Sequence, residues 1–266
     1  MDLEPTGDLV VDTAVTRTAT GRYDTVIRDG YGAGAAVPNG GLLLAIMTRA
    51  MADSAARPAV LTTTAQYLRR TRPGPATITT ELLRSGRMVM ARAQLEQQGE
   101  VVVHASGVFA DRAGLPRRTR VDLVPPDLPA PERCLALSDL DGAWPPVVAR
   151  LEHRIPAEQL RWPSGTVHDR ATVAGWYRPL VGRADEAAVT FLLDALFPPV
   201  FAIGMQAFAP PIELSVQVRR PPGDGWLRHR FRTRAIAGGV MEEDGELWTA
   251  GGDLVALSRQ TALPSD

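Results

Sequence analysis

The chain has 266 residues, 45% hydrophobic and 22% charged, with a formal net charge of −1. That near-neutral balance excludes broad electrostatic attraction to nucleic acid or to an anionic membrane surface, and the length suits one large domain or two small ones. All 29 basic residues are arginine, which removes Schiff-base and P-loop lysine chemistry, and the single Cys134 excludes an intrachain disulfide and fits a reducing compartment.

The N-terminal MDLEPTGD is polar and acidic, unlike a signal or transit peptide. The next notable stretch, GAGAAVPNGG over 32–41, resembles a dinucleotide-binding glycine loop only in part. Val37 stands where the third glycine belongs, and Pro38 disfavours helix at Val37. The better reading is a helix start with Asn39 as N-cap and Gly40 and Gly41 in the first turn. Glycine there costs roughly 1 kcal/mol each relative to alanine. Two explanations stand side by side: bare backbone N–H groups facing a ligand, or tight packing of the helix start against a sheet.

The helix that follows, 40–52, is apolar on nearly every face, with Arg49 as its one charge. A helix without a polar face is enclosed. Four β-rich runs come next, at 60–71, 75–83, 88–97 and 100–110. A proline-rich, aperiodic linker occupies 113–146 and carries Cys134 with no activating neighbour in sequence.

Strand-like runs near 147–155 and 166–180 open a second half. A second apolar helix is expected over 185–196, starting on its own acids, Asp185 and Glu186. Its apolar run, AAVTFLLDALFPPVFAIG, is too interrupted by Asp194 and two prolines to span a bilayer. Asp194 is the unusual residue, because a carboxylate on a buried helix needs partners or a wet pocket. It pairs with an arginine or caps a turn, or it serves as a general base at the end of a buried cavity. Four more β-rich runs follow, at 211–220, 226–235, 240–249 and 253–263.

YLRRTRPG parallels VQVRRPPG, and GEVVVHASGVFA parallels GDLVALSRQTAL. The halves therefore repeat, and the expected units are 1–112, a linker at 113–146, and 147–266. The class is α+β: an antiparallel sheet curled around one central helix, made twice, and a covalent pseudo-dimer if the two sheets pair edge to edge.

The ordered set PNGG, DALFPP and VALSRQ on this architecture resembles the acyl-CoA thioesterase II (TesB-like) double-hotdog family over nearly the whole chain. The resemblance implies hydrolysis of an acyl thioester to free acid and CoA by an Asp, a Thr or Ser, and a Gln. Asp194 matches the aspartate and Gln260 the glutamine. The hydroxyl position falls on Pro211, which has neither hydroxyl nor N–H. Ser215, four residues on, is ~13 Å away at strand rise. Asn39, Gly40 and Gly41 are the expected oxyanion and substrate-binding residues, with Arg69, Arg70, Arg72, Arg219 and Arg220 as candidates for CoA phosphates. No metal or cofactor is implied beyond the CoA of the substrate. The expected protein is cytoplasmic, part of lipid metabolism, and open to homo-oligomer formation, with no nucleic-acid or membrane partner. Two alternatives stand beside it: a non-catalytic acyl-thioester binding protein, favoured by Pro211, and a thioesterase for carrier-protein-bound acyl chains. The four histidines lack zinc-site spacing, there is no G-x-S-x-G, and neither expected helix carries the histidine of a hotdog dehydratase.

Overall fold

The structure, a computed structural model, describes residues 3–34, 37–140, 144–205 and 209–264. The N-terminal half contains a short α1 (Leu9–Asp12), β1 (Thr16–Ala19), β2 (Arg22–Ile27), a small hairpin of β3 (Gly32–Gly34) and β4 (Val37–Pro38), and the long α2 (Gly40–Ala55). It continues with β5 (Ala59–Tyr67), β6 (Gly74–Arg84), β7 (Met88–Gln97) and β8 (Glu100–Ala110). The remainder holds β9 (Leu135–Ala136), β10 (Leu151–Ile155), β11 (Ala171–Pro179), α3 (Val189–Leu192), β12 (Pro211–Val218), β13 (Leu227–Thr233), β14 (Ile236–Ala237), β15 (Val240–Thr249) and β16 (Leu254–Ala262).

Period-two patterning drives the long strands. In β7, Val89, Ala91, Ala93 and Leu95 are buried in alternation with outward Met90 and Arg92. In β13, Leu227, His229, Phe231 and Thr233 point inward while arginines point out. The inward faces of β5, β6, β7 and β8 enclose α2, of whose sixteen residues twelve are buried. Leu42, Leu44 and Ile46 are fully buried, each stabilising the fold by roughly 1.5–3 kcal/mol.

Among the described residues the strands form one antiparallel path, β1-β2-β6-β7-β8-β5-β12-β16-β15-β13-β11-β10-β9, with β14 on β15. The two sheets of the sequence reading are thus joined edge to edge through β5 and β12, which meets the condition for a covalent pseudo-dimer. Thr64 and Ser215 face each other across this seam with hydroxyls 3.0 Å apart, and they are 151 positions apart in sequence. That separation is close to the spacing between the paralleled segments, so the two halves contribute corresponding strands to the seam.

Much of the proline-rich stretch lies along the second half rather than hanging loose. Trp176 Nε1 donates to the Pro129 carbonyl at 2.9 Å, Arg230 donates to the Val124 carbonyl, and β9 extends the sheet beside β10. Cys134 is buried here, and burial raises its thiol pKa, which suits an inert residue.

The second helix differs from expectation. It is a single turn, Val189–Leu192, not a helix over 185–196. Val189 and Thr190 are β-branched, and Thr190 Oγ1 bonds back to the Ala187 carbonyl at 2.9 Å. Past Leu193 the chain is captured from outside, because Asn39 and Gly41 bond Asp194, and Pro198 and Pro199 bar further helix. No helix among the described residues is long and apolar enough to cross a membrane.

Candidate active site

The site grows from the first turn of α2. Asn39 caps it, its Oδ1 accepting the Leu42 N–H at 2.9 Å. That bond orients the amide so that Nδ2 donates to the Asp194 carbonyl at 2.6 Å. The Gly41 N–H donates to Asp194 Oδ2 at 2.7 Å. Asp194 therefore does not oppose the dipole of its own short helix. It sits at the positive end of the neighbouring one.

The glycines allow this approach. A Cβ on Gly41 would lie 2.6 Å from the Thr190 carbonyl oxygen and 2.7 Å from Asp194 Cβ. One on Gly40 would lie 2.8 Å from both Cζ and Oη of Tyr67 and 3.2 Å from Pro211 Cγ. Tight packing thus explains both glycines, Gly41 against the 190–194 segment and Gly40 against the Tyr67 ring at the cavity wall. The expectation of two open amides is corrected accordingly. The Gly41 N–H is committed to Asp194, whereas the Gly40 N–H has no acceptor among the described residues.

A cavity of about 430 Å³ opens here. Asn39, Gly40, Asp194, Pro211 and Gln260 all line it, as do Leu43, Leu196, Phe197 and Phe201 on its apolar side. Burial pushes the Asp194 carboxyl up to about 6, and the Gly41 N–H and the Asn39 side chain offset part of that rise. Gln260 lies on β16, directly opposite Leu214 of β12 and Glu243 of β15. Its Oε1 is buried without a partner among the described residues.

Two lining residues escaped the sequence reading. Tyr67, the last residue of β5, presents a buried hydroxyl with no partner among the described residues. Glu243 is buried, and desolvation together with the Asp194 charge holds its carboxyl well above the usual range. The run VMEEDGELWT reads only as a strand. The available signal was phase, because Glu243 alternates inward with buried Met241 and Leu247.

Other candidates are placed as follows. Ser215 is tied to Thr64 at the seam and does not line the cavity. Arg69 and Arg70 line it, whereas Arg72, Arg219 and Arg220 do not. Arg220 pairs with Asp253, and Arg69 lies 3.5 Å from Glu100. Among the described residues no cluster of His, Cys, Asp and Glu is arranged to hold a metal ion.

Residues 27–110 match the family described as acyl-CoA thioesterase N-terminal domain, and residues 131–263 match its C-terminal domain counterpart. No curated protein matches the chain. Among solved structures, a thioesterase II candidate from Thermobifida fusca YX is 24% identical with a TM-score of 0.87, covering 99% of this chain and 100% of that one. A hot dog fold protein from Alicyclobacillus acidocaldarius is 22% identical with a TM-score of 0.84, over 97% and 98%. The tesB protein of Mycobacterium avium subs paratuberculosis is 18% identical with a TM-score of 0.79, over 98% and 100%. At these identities the likeness establishes the fold, a double hotdog.

Proposed function

The chain belongs to the acyl-CoA thioesterase family, and from that we propose that it hydrolyses acyl-CoA to free acid and CoA with Asp194 as general base. The observation that carries the reading is a partly buried carboxylate held by a helix N-terminus in an apolar cavity that also contains a Gln260 oxygen without a partner among the described residues.

In this reading the acyl chain lies along Leu43, Leu196, Phe197 and Phe201. Gln260 accepts a hydrogen bond from the attacking water and aims it. The water oxygen bonds to the thioester carbon while its proton passes to Asp194. The carbonyl oxygen, now an oxyanion, faces the Gly40 N–H and the positive end of α2. Collapse breaks the carbon–sulfur bond, and the thiolate takes the proton from Asp194 to leave as CoA. The base is competent only when ionised, so turnover rises as pH climbs through about 6. Arg69 or Arg70, at the cavity wall, meets the CoA phosphates. The reaction needs no metal or cofactor, and we place it in the cytoplasm.

Thiol release from a panel of acyl-CoAs tests the reading, with Asp194→Asn as the control. Unchanged turnover in that variant removes the base assignment. Pro211, which supplies no hydroxyl, favours the second reading of a non-catalytic acyl-thioester binder, and tight binding without thiol release would select it. Faster turnover of acyl-carrier-protein thioesters than of acyl-CoA would move the substrate to the carrier class.

A further inference from the structure

We propose that the phenolic hydroxyl of Tyr67 is a catalytic hydrogen-bond donor to the substrate carbonyl oxygen, filling the role left open by Pro211. The inference rests on the thioesterase reading above and names a residue of the same site.

Position comes first. Tyr67 ends β5, the strand paired to β12, and Pro211 begins β12. The two therefore reach the cavity from neighbouring strands. They also flank one point: a Cβ placed on Gly40 would touch Tyr67 Cζ and Oη at 2.8 Å and Pro211 Cγ at 3.2 Å. On the Pro211 side that point meets only ring carbon. On the Tyr67 side it meets a hydroxyl.

That hydroxyl is buried and has no hydrogen-bond partner among the described residues. Buried polar groups are almost always paired in folded proteins, so an unpaired one facing a cavity marks where a ligand atom completes the bond. The Gly40 N–H beside it also lacks an acceptor among the described residues. Two donors at the mouth of a helix suit one oxygen that gains negative charge.

The phenol acts as a donor and not as a base. Burial and the nearby Asp194 carboxylate hold it well above its ordinary pKa, so it keeps its proton throughout the working range. No proton leaves Tyr67 in the reaction. The water proton goes to Asp194 and then to the departing thiolate, while the Tyr67 O–H bond only tightens against the oxyanion.

Tyr67→Phe tests this, because it removes one atom and keeps the ring packed beside Gly40. With the acyl-CoA that the unaltered protein hydrolyses fastest, kcat is expected to fall by about 10²–10³-fold with KM little changed. The melting temperature should hold or rise, since a buried unpaired hydroxyl is gone. Asp194→Asn is measured in parallel. If the unaltered protein turns over, Asp194→Asn does not, and Tyr67→Phe stays within threefold of the parent, the donor role is overturned while the thioesterase reading survives. A fall in melting temperature accompanying the lost rate makes the hydroxyl structural and overturns it as well. No thiol release from the unaltered protein on any acyl-CoA sinks the underlying reading first.

Discussion

Helix α2 and the segment 185–194 lie antiparallel, and their two ends have been put to opposite uses. At one end Gly41 meets Asp194, with a cavity alongside and several polar atoms left open. At the other end Arg49 clasps Asp185 through two bonds of 2.6 and 3.0 Å. Beside it Arg112 clasps Glu186 at 2.7 Å, and the Val60 N–H donates to the same carboxylate. The repeat would make these ends equivalent. Charge pairing at one end and unpartnered polar atoms at the other set the two apart, and the proposed chemistry uses only the latter.

Asp194→Asn should separate the ends most strongly. Hydrolysis is expected to fall by about 10²–10⁴-fold, read by thiol release, with the fold intact. Gly41→Ala comes next, because its methyl would press on the Thr190 carbonyl and on Asp194 itself. Stability should drop by about 1–3 kcal/mol in urea melts, with turnover lost as the carboxylate is displaced. The same Asp194→Asn protein gives a third readout. Burial raises the folded carboxyl to about 6, so ionisation above that pH works against folding. The variant should be the more stable protein at pH 8, by at most roughly 3 kcal/mol, with the gap closing as pH falls from about 6 to about 4. Arg49→Ala probes the other end: about 1–2 kcal/mol of stability lost and kcat unchanged. A large loss of kcat there would mean that the ends are coupled and the division of labour is misdrawn.

Much of this was legible before any coordinates. The runs at 88–97 and 100–110 coincide with β7 and β8, because clean alternation and glycine turns leave little for tertiary contacts to change. Asn39 and two glycines marked the start of α2 by local chemistry alone. The second helix was misjudged for a non-local reason. Its length is set by bonds from Asn39 and Gly41, some 150 residues away, which no local periodicity can register. The elements before β3 went unassigned, though the alternate burial of Tyr23, Thr25 and Ile27 in β2 was there to be read. Asp194, Gln260 and Pro211 stood out by motif, whereas Tyr67 looked like any strand aromatic. Its proposed role rests on a buried oxygen without a partner among the described residues, a property of packing.

The join at Thr64 and Ser215 gives the cavity mixed ancestry. Asn39, Gly40 and Tyr67 come from one repeat, and Asp194, Pro211, Glu243 and Gln260 come from the other. Two identical subunits would be obliged to carry both constellations in duplicate, each surface at once a catalyst and the mirror of one. A fused chain is released from that obligation. Each copy can specialise, and the equivalent end of the other repeat can take up charge pairing without disabling its twin.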